Sequence, residues 1–153
     1  MSEARERLKA LGLELPPVAA PAGDYLPAVR TGNYVYTSGQ LPVVEGRLLV
    51  TGQVGADVTV EEAAACARVA ALNALAAAAS QAGELDGIER IVKVTVFVSS
   101  AVGFTAQAQV ANGASELFRE VLGDAGKHAR SAVGMAALPL GSPVEVELVA
   151  EVA

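Results

Sequence analysis

Arg130 stands where a loop, Gly126-Lys127-His128-Ala129, runs into a segment of strand-forming character. A guanidinium at such a junction offers a rigid planar fork that fits a carboxylate bidentately, with neighbouring backbone N–H groups to assist. Its plain alternative is a surface ion pair with a glutamate. Further along, Glu145 and Glu147 are two residues apart and so share one face of an extended chain, where one can hold or activate a water while the other is paired or solvated. The bland version of that pattern is a charged, solvated strand edge, which suits Glu151 better than Glu145.

Other residue types offer less. His128, in the loop, suits a general base only beside a nucleophile; no Gly-x-Ser-x-Gly elbow supplies one, so it reads as a surface histidine with a small orienting role. Cys66 lies in Ala63-Ala64-Ala65-Cys66-Ala67 and reads as a packed thiol, with no cation close in sequence to lower its pKa and Arg68 pointing elsewhere on a helix. Thr37-Ser38-Gly39-Gln40 either lines a pocket with a hydroxyl and an approachable backbone or merely ends a strand. Thr51-Gly52-Gln53-Val54-Gly55 has neither the lysine of a P-loop nor Rossmann spacing, so no nucleotide site is expected.

The chain that must position these groups has 153 residues, 11 Lys plus Arg against 17 Asp plus Glu, and a formal charge of −6. That length predicts a single domain over 1–153, burying about 68–70% of the surface its unfolded form exposes. One cysteine and one histidine cannot build a disulfide framework or the usual zinc sites, so no zinc site is expected. An acidic pI near 4.8 argues against a nucleic-acid partner, which would need clustered Lys and Arg. With 52% hydrophobic residues, no unbroken apolar run of membrane-spanning length and a charged N-terminus, the sequence predicts a globular cytoplasmic protein with no membrane partner. The apolar excess argues that a second subunit covers part of it.

Local patterns then predict the elements. Residues 2–11 read as a short helix capped by Ser2 and stopped by Gly12, part of an N-terminal extension over 1–18 that precedes the core at 19–153. Asp24 and Tyr25 fall on a Pro/Ala/Gly-rich connection or at the start of a first strand. Strands are expected at 33–40, 47–51, 91–98, 130–138 and 144–152. Thr59-Val60-Glu61-Glu62 is a capping box, opening a helix to about Gln81 whose alanines let it lie close to a neighbour. A second long helix is expected at 105–122. On 91–98 the valines 92, 94, 96 and 98 should face the helices, and Lys93, Thr95 and Phe97 the other side. The order β, β, α, β, α, β, β implies an α+β domain with two helices on one face of a mixed sheet. Its other, half-polar face suits a cavity shared between subunits.

Four motifs together resemble the RidA/YjgF/UK114 family of reactive-intermediate deaminases over roughly residues 25–151. They are Gly23-Asp24-Tyr25, Tyr36-Thr37-Ser38-Gly39-Gln40-Leu41-Pro42, Val92-Lys93-Val94-Thr95-Val96-Phe97-Val98, and Ala129-Arg130-Ser131 leading to Val144-Glu145-Val146-Glu147. The resemblance implies a chorismate-mutase-like α+β fold, assembled as a homotrimer with clefts between subunits. It also implies cofactor-free hydrolysis of 2-imino or enamino acids such as 2-aminoacrylate. Carried over, Arg130 matches the arginine that grips the substrate carboxylate and Glu145 the glutamate that positions water. Tyr25, Ser38 and Asn112 match pocket positions. Ala132 stands in the pocket where many members have a cysteine, so thiol chemistry is absent here.

Two alternatives stay open on the same residues. A non-catalytic trimer binding a small carboxylate would use Arg130 equally well. An endoribonuclease is weaker, lacking a basic footprint and a histidine pair, and a chorismate mutase would want more cationic groups for its dianionic substrate.

Overall fold

A computed structural model describes residues 2–153. In chain order the elements are α1 (Glu3–Ala10), β1 (Ala28–Thr31), β2 (Tyr34–Thr37), β3 (Val43–Val44), β4 (Arg47–Leu48), α2 (Val60–Ser80), β5 (Ile88–Ser99), α3 (Gln107–Leu122), β6 (Ala129–Met135) and β7 (Val144–Val152). Five strands form one sheet in the order β1-β2-β7-β5-β6, mixed because β5 and β6 run parallel while the other pairs are antiparallel. Helices α2 and α3 pack together and cover one face, with α2 over β7 and β2 and α3 over β5 and β6. The fold is the expected α+β arrangement, with α1 as a third helix against α3.

The helix ends follow from local chemistry. Ser2 Oγ accepts from the Arg5 N–H at 3.2 Å and Gly12, at φ +72°, turns the chain out of α1. The capping box forms in full: Thr59 Oγ1 accepts from the Glu62 N–H and Glu62 Oε1 from the Thr59 N–H. Most of the buried residues of α2 are alanine, and although it has the length and apolarity of a membrane span it serves as the core helix of this fold. Smoothness allows backbone contact: a Cβ on Gly113 of α3 would lie 2.0 Å from the Ala64 carbonyl oxygen of α2. Gly113→Ala is expected to push the helices apart and cost about 1–3 kcal/mol of unfolding free energy. A urea midpoint equal to that of the parent protein would contradict this packing.

Four expectations need correction. The single strand at 33–40 is instead a hairpin, β1 and β2 joined through Gly32-Asn33, with Gly32 at φ +58°. A Gly-Asn pair between strand-forming residues is a hairpin signal, but β1 is a short, mostly exposed edge strand with little alternation to betray it. The segment at 47–51 shrinks to β4, which pairs with β3 across Glu45-Gly46, both at positive φ. On β5 the register shifts between Ile91 and Lys93, so Ile91 joins Val94, Val96 and Val98 in the core and Val92 is only half-buried. One extra residue in a ladder flips everything before it to the other face. β6 also ends at Met135, short of Leu138, because the chain turns through Pro139–Gly141 with Leu140 at φ +60°.

Candidate functional site

The residues singled out above gather into two groups. The first sits at β6, an edge strand. Arg130 is paired in register with Val94 of β5, which is buried against the helices, so its side chain rises on the helix side and meets α3. Its Nη1 donates to Asn112 Oδ1 at 2.8 Å and to Ser115 Oγ at 3.1 Å. A guanidinium has five donors, so both hydrogens of Nη1 are used and the Nε/Nη2 edge is left to receive a planar anion. These residues line a pocket of about 380 Å³ together with Glu116, Arg119, Lys127 and His128. Ala132, two residues on, lies on the same side and packs against the core.

His128 is not a surface histidine. It is half-buried, its ring edge-on to Phe118 at 5.7 Å between centroids, with Nδ1 at 2.6 Å from the Gly126 carbonyl and Nε2 at 2.9 Å from Ser115 Oγ. Burial lowers its pKa; the Gly126 bond opposes that shift, and the Arg130 charge reinforces it. Neither Ser115 nor this contact is foreseeable from spacing in sequence, since it joins α3 to the lead-in of β6.

The second group lies at β2 and β7. β2 leaves the ladder at Thr37, whose buried hydroxyl accepts from the Leu148 N–H, and rejoins at Gln40, which exchanges two backbone bonds with Val146. Between them Ser38 and Gly39 arch out. Ser38 Oγ donates to the Leu26 carbonyl at 2.5 Å, which ties the Tyr25 segment to the arch. Buried Asn73 of α2 fixes the following turn through the Leu41 and Val43 carbonyls.

Glu145 lies against Gly39, where a Cβ would come within 2.5 Å of its Oε2. Burial pushes its carboxyl pKa up, and Glu147 beside it adds to the shift. Gly39→Ala should therefore displace the Glu145 carboxylate while leaving the fold intact. Under the water-positioning role that the family resemblance implies for Glu145, turnover should fall about tenfold or more, with unchanged thermal unfolding, and a fully active Gly39→Ala protein would show that Glu145 has no fixed task. Tyr25 is exposed on the connection before β1, its hydroxyl accepting from the Ala22 N–H.

The two groups do not meet within one chain. Glu145 pairs with Phe97, on the face opposite Arg130, and its strand is separated from β6 by β5. That opposite face is uncovered and carries Val29, Tyr34, Tyr36, Val133 and Met135, all exposed. Cys66 is buried as expected, its pKa raised by burial and by Glu62.

An α+β domain whose mixed sheet is covered by helices on one face and open on the other defines the fold class of this chain. A family profile described as "YjgF/chorismate mutase-like, putative endoribonuclease" matches residues 5–152, and the chain belongs to this RidA/YjgF family. It is 46% identical over 145 residues to Protein TCP17 of Trypanosoma cruzi, covering 94% of this chain and 91% of that one. A solved structure titled as a putative endoribonuclease from Shewanella oneidensis superposes with TM-score 0.94 at 40% identity, covering 99% of this chain and all of that one. Escherichia coli TdcF, solved with bound serine, superposes with TM-score 0.63 at 29% identity, covering 91% and 94% of the two chains.

Proposed function

We propose that the protein is a cofactor-free, cytoplasmic deaminase that hydrolyses small 2-imino and enamino acids to 2-oxo acids and ammonia. The observation that carries this reading is the Arg130 guanidinium, pinned through Nη1 to Asn112 and Ser115 in the lining of a pocket, which leaves the edge formed by its Nε and Nη2 donors for a ligand. A carboxylate on that edge places the adjacent C=N carbon at a fixed point. A protonated imine next to a carboxylate is already electrophilic, so orientation supplies most of what the reaction needs. Water adds to that carbon as Glu145 takes one of its protons, Glu145 returns that proton to nitrogen, and the C–N bond breaks as the remaining hydroxyl proton passes to Glu145 or solvent, leaving the 2-oxo acid and ammonia. The raised pKa of Glu145 suits a group that must both accept and give back a proton.

Because Arg130 and Glu145 lie on opposite faces of one sheet, the complete site takes Arg130, Asn112 and Ala132 from one copy and Tyr25, Ser38 and Glu145 from the next. A homotrimer in which the open sheet faces are buried provides this, and the exposed apolar residues on that face support it. The amino acid held by TdcF, itself a carboxylate, is consistent with the same grip. The endoribonuclease wording attached to relatives has no support in this site: the chain carries −6, and its one histidine is engaged with Ser115 and Gly126.

The test is ammonia release from 2-aminoacrylate generated in situ by an amino-acid lyase. Acceleration over the spontaneous rate that disappears in Arg130→Ala supports the deaminase. If assembled protein gives no acceleration but binds pyruvate, the second reading holds, a carboxylate-binding protein in which Glu145 never reaches the ligand.

A further inference from the structure

The chain Gly126–His128–Ser115–Arg130 has a direction. A backbone carbonyl only accepts, so the 2.6 Å contact from His128 Nδ1 to Gly126 requires a proton on Nδ1. In the neutral ring Nε2 is then an acceptor, and the Ser115 hydroxyl 2.9 Å away must donate to it. That donation turns the Ser115 lone pairs toward Arg130, whose Nη1 donates to them at 3.1 Å while also holding Asn112. Each bond fixes the sense of the next. From these contacts we infer that His128 and Ser115 are positioning residues that hold the Arg130 fork in its carboxylate-binding pose, and that protonation of His128 releases it. The inference rests on the reading of Arg130 as the carboxylate grip.

Protonated His128 would donate from Nε2 to the same serine oxygen, displacing the serine proton and setting two cations against one acceptor. Burial is the main cause that lowers the His128 pKa; the Gly126 bond opposes it, and the Arg130 charge adds to it in the sense this antagonism requires. The charged groups around it do not reverse this. Glu116 and Arg119 line the pocket from α3 with opposite signs, and Lys127 is paired with Asp124 at 3.1 Å. A carboxylate on the far edge of Arg130 is separated from His128 by the guanidinium and the serine, so it makes no contact with the ring. Loss of the contact geometry therefore outweighs any gain from the extra charge, and carboxylate affinity falls as pH drops through the His128 pKa, which lies below the ordinary histidine value.

The chain has one histidine, so its ¹⁵N resonances are unambiguous. At pH 7.5 they should show the Nδ1–H tautomer; an Nε2–H tautomer overturns the inference. Pyruvate serves as the carboxylate probe, its Kd measured by calorimetry from pH 7.5 to pH 5. Parent protein should weaken about fivefold or more across this range as the ring titrates. Ser115→Ala, a helix-compatible change, should bind several-fold more weakly at pH 7.5, show little of the pH step, and raise KM for 2-aminoacrylate without lowering kcat. His128→Ala should behave likewise, and His128→Gln, which keeps an acceptor but cannot take a proton, should recover affinity without the step. Binding that strengthens on acidification in parent protein but not in His128→Gln, or Ser115→Ala that binds like parent while Arg130→Ala does not bind, refutes the positioning role alone. If Arg130→Ala binds pyruvate like the parent, the carboxylate grip itself is refuted.

Discussion

Arg130→Lys is expected to lose about a hundredfold or more in kcat/KM on 2-aminoacrylate, although it keeps the charge. The reason is geometric. Arginine uses one nitrogen to hold Asn112 and Ser115 and still has a second edge for the substrate, whereas a lysine ammonium is a single point with three donors. It can grip the helix or the carboxylate, not both in a fixed plane. Hydrogen bonds to charged groups contribute about 1.5–3 kcal/mol each, so losing two costs about 3–6 kcal/mol, or two to four orders of magnitude. Arg130→Ala should be at least as impaired. The loss should appear chiefly in KM, because the carboxylate is bound in ground and transition states alike. A lysine variant with parental KM would mean that charge alone recruits the substrate and that the Asn112 and Ser115 contacts have no bearing on it.

How much of this was legible in the sequence depends on the range of each interaction. Short-range signals carried well: the Ser2 cap, the Thr59–Glu62 capping box and the alternation of β7 all appear where local chemistry places them. The four motifs identified the family and with it the residues to examine. Two kinds of information were lost. A bulge is a property of a ladder, so the shift at Val92 that carries Ile91 into the core has no signature in β5 alone. Contacts between distant elements are equally silent. His128 looked exposed because its neighbours Lys127 and Ala129 are a charged and a small residue, yet Phe118 and Ser115 on α3 enclose it. The sequence also could not reveal that Arg130 and Glu145 face opposite ways. That requires the strand order, in which β7 and β6 flank β5, together with the parity of the register.

That parity leads to an experiment on Glu145 that separates chemistry from folding. Glu145→Gln should lower kcat about 10²–10⁴-fold, the range general acid–base catalysis supplies, with little change in pyruvate affinity. It should not lower thermal stability at neutral pH. A carboxyl whose folded pKa is raised favours the protonated fold, so its contribution to stability is present below the ordinary carboxylate pKa and is lost as pH rises through the raised one. A neutral glutamine removes the buried charge and its repulsion with Glu147, and Tm near pH 7 should stay level or rise. The same shift moves the acid limb of kcat upward from the ordinary glutamate value, because the base must be ionised to act. The decisive step is mixing. If each site takes Arg130 from one copy and Glu145 from its neighbour, Arg130→Ala and Glu145→Gln chains are individually inactive. Refolded together in equal amounts, they should regain about one quarter of parental activity, the fraction of random neighbour pairs in which both needed residues are intact. Activity that stays absent in verified mixed assemblies would require both residues from a single chain, which the opposite faces of the sheet forbid without refolding, and Glu145 would then lose its place in the reaction.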